Sequence, residues 1–226
     1  MGTELTNPLS AERLLFALPP IFSAFCRFSR QVSASSVDSR PTAVYDANVL
    51  YPAQLRDLLM RLAVGGLVRA HWSNQIHEEW MLNVVGNYSD ISREDVEYTR
   101  SQMDRALPDA QVTGHKHLIE DLSLPDPDDN HVLAAAIHTE TDYIITFNLE
   151  DFPDAKLRTH GVKAIHPDTL MSMLMSSSKE KLLKVVKRHR TSLRKPPLDR
   201  EEYLEVLKAT GLEKTVERLE THRDRL

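Results

Sequence analysis

Thiols are all but absent from this chain: Cys26 is the single cysteine in 226 residues. An intrachain disulfide is excluded, and a zinc centre built on thiolates lacks its ligands. The same scarcity suits a reducing compartment, so a cytoplasmic location is expected. Long apolar runs are missing too. None reaches the ~18 residues needed to span a bilayer, so no membrane association is expected. The nearest candidate, Leu14 to Phe25, is broken by Pro19-Pro20. Glu4 and Glu12 precede it and no clear cleavage site follows, which disfavours a secretion signal and leaves a docking segment or a poorly ordered N-terminus. No internal repeat is present. His71, His77, His115 and His117 have no zinc spacing with cysteines, and Trp72 and Trp80 read as core residues rather than base-stacking platforms.

The residues that are present suffice for a packed core: 41% are apolar and 27% charged. The net charge of -5 argues against a general nucleic-acid binder, but its distribution is uneven. Residues 176–226 carry a balance of +5 and the remainder -10, an acidic body with a basic tail.

Residues 31–41, polar and small, read as a linker. Thr42 to Tyr45 is strand-like and closes on Asp46 and Asn48. Leu55, Leu58, Leu59 and Leu62 recur at helical spacing between Pro52 and Gly65-Gly66. Leu67 to Trp72 reads as a strand, and Ser73 as the cap of a helix to about Val85. Ser92 with Asp95 has the spacing of a capping box, for a helix ending before Pro108. Ala110 to Thr113 is a short strand, and Pro125-Asp126-Pro127-Asp128-Asp129 opens another helix. Tyr143 to Thr146 is a continuous apolar strand of the kind buried on both faces, Val162 to Ile165 a further strand, and Pro167-Asp168 a further helix start. Strands alternating with helices predict an α/β fold with a parallel sheet. From Ser178, expected as a cap, the pattern is helical only, with a break at Pro196-Pro197, a second capping box at Asp199 and Glu202, and Gly211 between two short helices. The expected organisation is therefore an N-terminal segment and linker (1–40), an α/β domain (41–175) and a basic helical extension (176–226).

Acidic and amide groups stand at element ends: Asp46 after the first strand, Asp129 at a helix start, Asn148 and Asp151 after the strand Tyr143 to Thr146, with Glu79 on the helix begun by Ser73. Ligands bind at the carboxyl ends of strands in open parallel sheets. Converging carboxylates repel one another unless a cation or shared protons intervene, and oxygen-only ligands suit Mg2+ or Mn2+, which polarise phosphodiesters and activate water. Spacing alone does not show convergence. Asp126, Asp128 and Asp129 are equally favoured at a helix start by the dipole, and Glu78 and Glu79 equally read as a solvated face.

Four segments together resemble a known family. Val44-Tyr45-Asp46-Ala47-Asn48, with its D-x-N, looks like the opening strand of a PIN domain. Trp72-Ser73-Asn74-Gln75-Ile76-His77-Glu78-Glu79-Trp80 resembles the helix with the second acid, and Asp126-Pro127-Asp128-Asp129-Asn130-His131-Val132-Leu133-Ala134-Ala135-Ala136 the helix with the third. Tyr143-Ile144-Ile145-Thr146-Phe147-Asn148-Leu149-Glu150-Asp151 resembles the final motif. The four lie in family order, and the Pro196-Pro197-Leu198 to Leu204 region resembles an extension on a longer subgroup of VapC-type toxins.

The resemblance implies a three-layer α/β/α fold with a parallel sheet. It implies a Mg2+- or Mn2+-dependent endoribonuclease, acting on RNA with tRNA foremost, and held inactive by a cognate antitoxin protein. It also implies a homodimer. Asp46, Glu79 and Asp129 carry over as metal ligands and catalytic acids, with Glu78 the competitor of Glu79. Thr146 and Asn48 carry over as supporting residues. One departure stands out: the last motif has Asn148 where many PIN domains have Asp, so a neutral amide replaces a charged ligand and Asp151 is the substitute carboxylate.

The basic helix holds Lys179, Lys181, Lys184, Lys187, Arg188, Arg190, Arg194 and Lys195. Lys181, Lys184, Lys187, Arg188 and Arg190 are the expected RNA- or partner-binding set, against the alternative of a solvated face over Leu182, Leu183, Val185 and Val186. Two other functions fit the sequence: a decayed PIN-like module that binds RNA or protein without cutting, and an α/β phosphohydrolase of small phosphate esters.

Overall fold

The computed structural model describes residues 40–193 and 197–226. The expected N-terminal unit, with Cys26 and the apolar run at Leu14, lies outside the described residues except for its last residue, as do Arg194, Lys195 and Pro196.

Strand β1 (Thr42–Tyr45) leads through Asp46 into the short helix α1 (Ala47–Leu50) and then α2 (Ala53–Val64). Next come β2 (Arg69–Ser73), α3 (Asn74–Asn87), α4 (Arg93–Ala106) and β3 (Gln111–Val112). After two 3-10 segments follow α5 (Asn130–His138), β4 (Tyr143–Ile145), α6 (Asp154–Leu157), β5 (Lys163–Ile165) and α7 (Pro167–Ser177). The chain finishes in α8 (Lys179–Ser192), α9 (Arg200–Ala209) and α10 (Glu213–Glu220).

The five strands form one sheet in the order β3-β2-β1-β4-β5. Every pairing is parallel, with Val44 opposite His71 on one side and Ile144 on the other. Val44, Ile144 and Ile145 are fully buried, because helices cover both faces and leave no polar side for the sheet. The fold is a three-layer α/β/α PIN-like sandwich with a helical extension. The direction in which successive strands are added to the sheet reverses between β1 and β4, which makes their carboxyl ends the topological switch point.

Local signals behave as the sequence predicts where the partner is nearby. Ser73 caps α3 by accepting from the Ile76 amide at 3.2 Å, and the Ser92–Asp95 and Asp199–Glu202 capping boxes both form. Trp72 and Trp80 are fully buried. Ser178 departs from expectation. Its amide closes α7 on the Leu174 carbonyl at 2.8 Å, and its ψ of 38° is not the extended cap conformation, so its side chain makes no cap bond to α8. β3 is shorter than the expected run, because Pro108–Ala110 form a 3-10 turn before it and Gly114 turns the chain at φ 87° after it.

The extension packs on the sandwich rather than hanging from it. Leu182, Leu183, Val185 and Val186 bury one face of α8, which lies on α2 and α7. A Cβ at Gly65, at the end of α2, would meet the Arg61 carbonyl at 2.9 Å and the Val185 side chain at 3.1 Å, so any larger residue there forces the end of α2 and the side chain of α8 to shift. Asp168 of α7 accepts from the Lys214 and Thr215 amides at 2.9 and 2.8 Å and so caps α10 from a distant point in the chain. His189 of α8 bonds the Tyr203 hydroxyl at 2.9 Å and faces Asp57 of α2 at 3.5 Å, while Arg61 joins Asp57 to Ser192.

Candidate active site

Asp46 is the N-cap of α1 and 4% exposed. One of its oxygens accepts from the Ala47 amide at 2.6 Å. The other accepts from Asn48 Nδ2 and from Thr146 Oγ1, each at 2.7 Å. Asn48 also donates to Thr146 Oγ1 at 2.9 Å and accepts from the Phe147 amide at 3.1 Å, so one amide side chain ties the end of β1 to the end of β4. The Asn148 amide returns to Thr146 Oγ1 at 3.0 Å. Burial pushes the Asp46 carboxyl above the usual carboxylate range; the Thr146 and Ala47 hydrogen bonds oppose that shift, Glu79 adds to it and His131 opposes it.

Glu79 and Glu78 go separate ways. Glu79 Oε1 lies 2.8 Å from Nε2 of the buried His131, in close contact although not aligned as a hydrogen bond. Glu78 instead pairs with Arg93 at 2.6 Å and Arg100 at 3.5 Å, joining α3 to α4. Asp129 is the N-cap of α5, one 3-10 turn beyond Asp126. Its carboxyl is pushed up to about 7, first by desolvation, then by the charges of Asp46, Asp151 and Asp126, with His131 opposing. Asp46, Glu79, Asp129 and Asp151 therefore share one electrostatic field at the switch-point edge. Asn148 is exposed beside them.

His131 is a residue that the sequence did not single out. It follows Asp129 by two positions in a run that otherwise reads as an apolar helix face, and only folding places it against Glu79 on a different helix. Arg56 is a second: buried in α2, it donates to the carbonyls of Leu50 and Tyr51 and lies 4.5 Å over the Trp80 ring, holding α1 against α3. Burial lowers its guanidinium to about 10.

The basic helix is divided. Lys181, Lys184, Lys187 and Arg188 stand exposed on α8. Arg190 is half-buried and donates to the Leu198 carbonyl at 2.9 Å, which makes it a tie between α8 and the segment before α9.

Among the described residues no three carboxylate, imidazole or thiol groups stand close enough to hold one ion between them. Mg2+ keeps several waters and commonly binds through one or two carboxylates and the phosphates of its substrate. The donors at this edge are hard oxygens that repel one another, and they fit such an ion.

Two families of known proteins match separate parts of the chain. Residues 42–150 match the PIN domain family, and residues 167–221 match the VapC50 C-terminal domain. A curated relative, named "Putative ribonuclease VapC50", from Mycobacterium tuberculosis (strain ATCC 25618 / H37Rv), is 46% identical over 43 residues, which is 19% of this chain and 25% of that protein. The chain thus spans about a quarter of that relative's length. No solved structure matches the chain. With its parallel sandwich and the helices behind it, the chain carries a PIN domain over residues 42–150 and a VapC50 C-terminal domain over residues 167–221, the pairing of a longer VapC-like protein.

Proposed function

We propose that the protein is a divalent-metal-dependent endoribonuclease, the toxin of a toxin–antitoxin pair, acting in the cytoplasm on RNA with tRNA as the first candidate. The observation that carries this reading is the gathering of Asp46, Glu79, Asp129 and Asp151 at the switch-point edge, where desolvation first, and the neighbouring carboxylates after it, push the Asp129 carboxyl up to about 7. Asp46, Glu79 and Asp129 are the candidate donors to Mg2+ or Mn2+, one or two of them binding it directly and the others through water, with Asp151 and the carbonyl oxygen of Asn148 as further oxygen donors. When bound, the ion supplies positive charge to the scissile phosphate and lowers the pKa of a water.

The chain's own residues do the rest. Thr146, Asn48 and the Ala47 amide fix both oxygens of Asp46 in one orientation, so no conformational freedom is lost there on binding. His131 sets Glu79 toward the same edge. An acidic edge repels RNA by itself, so phosphate contacts must come from elsewhere. The exposed cations of α8, Lys181, Lys184, Lys187 and Arg188, supply them or dock the antitoxin. Partners in this reading are the RNA, a cognate antitoxin protein and a second copy of the chain. Among the described residues no helix is long and apolar enough to cross a membrane.

The test is cleavage of total tRNA by the purified, antitoxin-free protein with Mn2+, beside Asp46→Asn and an EDTA control. Discrete fragments from the unaltered protein alone are expected, with at least about a 100-fold loss in the variant, the scale on which removing a catalytic group acts. Intact RNA of every kind, from a protein shown to be folded, favours the binding module, a reading that the amide at Asn148 supports.

A further inference from the structure

We propose that a cleft beside the acidic edge receives an unpaired nucleobase of the RNA and selects the sequence that is cut. This rests on the ribonuclease reading above and names the part of the substrate that the site distinguishes. The cleft measures about 540 Å³ and is lined by Asn74, Gln75 and Glu78 of α3 and by the chain that leaves β3, from Val112 to His117. It opens at the carboxyl edge of β2 and β3, the edge that carries the acids at β1 and β4. Glu78 lies in its wall and is the sequence neighbour of Glu79. Its size is that of a small-molecule site.

Its lining has the chemistry of base recognition. His115 is 4% exposed, and neither of its ring nitrogens finds a hydrogen-bond partner among the described residues. An imidazole with no protein partner at that depth gains from any polar group brought against it. Burial holds the ring neutral, so it presents one donor and one acceptor, the pattern of a base edge. Asn74 has its carbonyl oxygen taken by Arg100 Nη2 at 2.7 Å and Gln111 Nε2 at 3.0 Å, which leaves its NH2 group to donate. Gln75 beside it is exposed, with both halves of its amide available. His117 is exposed and pinned by its Nδ1 to the Gly114 carbonyl at 2.8 Å, a fixed flat ring of the kind on which unpaired bases stack. Lys116, also exposed, places a cation at the rim for the adjoining phosphate. A stacking ring, a buried donor–acceptor pair and adaptable amides together fit a splayed-out base better than an amino-acid side chain or a phosphate alone.

Gln75→Ala and His117→Ala test this, because both residues are exposed, lie outside the acidic cluster and can be changed without opening the core. Equilibrium binding of labelled oligoadenylate, oligocytidylate and oligouridylate to the full chain is measured in EDTA, by fluorescence anisotropy. Cleavage of the same strands with Mn2+ is run in parallel. The unaltered protein is expected to prefer one base by about fivefold or more, the scale of one hydrogen-bonded base edge, and Gln75→Ala to bring the three oligomers within about twofold of one another, whereas His117→Ala weakens all three by a similar factor because stacking accepts any base. No preference in the unaltered protein, or a preference that survives Gln75→Ala, overturns the subsite. A base preference from a protein that leaves these strands, tRNA and other RNAs intact refutes the nuclease reading and leaves the subsite standing; cleavage whose sequence profile is unchanged in Gln75→Ala does the reverse.

Discussion

Asp129 sits where helix geometry and charge repulsion pull in opposite directions. As the N-cap of α5 it gains from the helix dipole, yet burial and the neighbouring carboxylates of Asp46, Asp151 and Asp126 raise its pKa from 3.8 to about 7. The folded protein therefore keeps a proton that the unfolded chain releases between those values. By linkage, this carboxyl costs stability as pH rises through the window from 3.8 to about 7, and the cost is complete above it. A divalent cation relieves that repulsion. Mg2+ is therefore expected to raise the melting temperature more at pH 8 than at pH 5.5, and Asp129→Asn to flatten the difference, read by thermal unfolding with and without the ion. An equal shift at both pH values would count against a site of ionised carboxylates. Glu78 shows how little the acid type alone reveals: one residue from Glu79, it spends its charge on Arg93 and Arg100.

At the scale of elements, the site is a junction between two strand ends. β1 and β4 are neighbours in the sheet, and their parallel register sets Tyr45 beside Ile145, so Asp46 and Thr146 emerge together. Asn48 then locks the junction from α1. Replacing Thr146 by Val removes a donor to Asp46 while keeping shape, and Asn48→Ala removes the clamp. Each is expected to lower RNA cleavage by about 10- to 100-fold, as loss of partners behind metal ligands does, with the far-ultraviolet circular dichroism unchanged. Full activity in both would separate the clamp from the chemistry. The elements themselves were largely legible in the sequence. Ser73, Ser92 with Asp95, and Asp199 with Glu202 act on amides two or three residues away, so spacing alone reveals them. Ser178 was misleading because α7 ends where α8 begins, and its backbone is committed to the earlier helix. The cap that Asp168 gives to α10 was invisible, since its partners lie 46 and 47 residues onward.

The whole molecule is an acidic sandwich braced by a basic extension. The α9–α10 turn reaches back toward the acidic edge: a Cβ on Gly211 would stand 3.2 Å from the Phe147 ring, which packs on His166 with centroids 5.1 Å apart. On the other side, His189 is buried between Tyr203 and Asp57. Burial takes its pKa from 6.5 down to about 4, against the pull of Asp57 and with help from Arg61. The folded state holds this imidazole neutral while the unfolded chain protonates it, so its contribution is intact above pH 6.5 and is lost as pH falls toward 4. Between pH 7.5 and 4.5 the unaltered protein is expected to lose roughly 2–3 kcal/mol more than His189→Gln, measured by urea unfolding. Equal losses would show that the extension is braced by its apolar face alone, through Leu182, Leu183, Val185 and Val186.

The sequence by itself determined the class of fold, the order of its elements and the candidates for the acidic site, because apolar periodicity, capping and motif order are properties of neighbours along the chain. Only the tertiary structure decided which of those candidates meet. It set Glu79 rather than Glu78 against His131, bound Asn48 to Thr146 across 98 positions, drew Arg190 into the frame and hollowed the cleft around His115. The physical reason is that charge repulsion, desolvation and hydrogen bonding act over a few ångströms of space. Separation along the chain carries no measure of that distance until the sheet has brought its strand ends together.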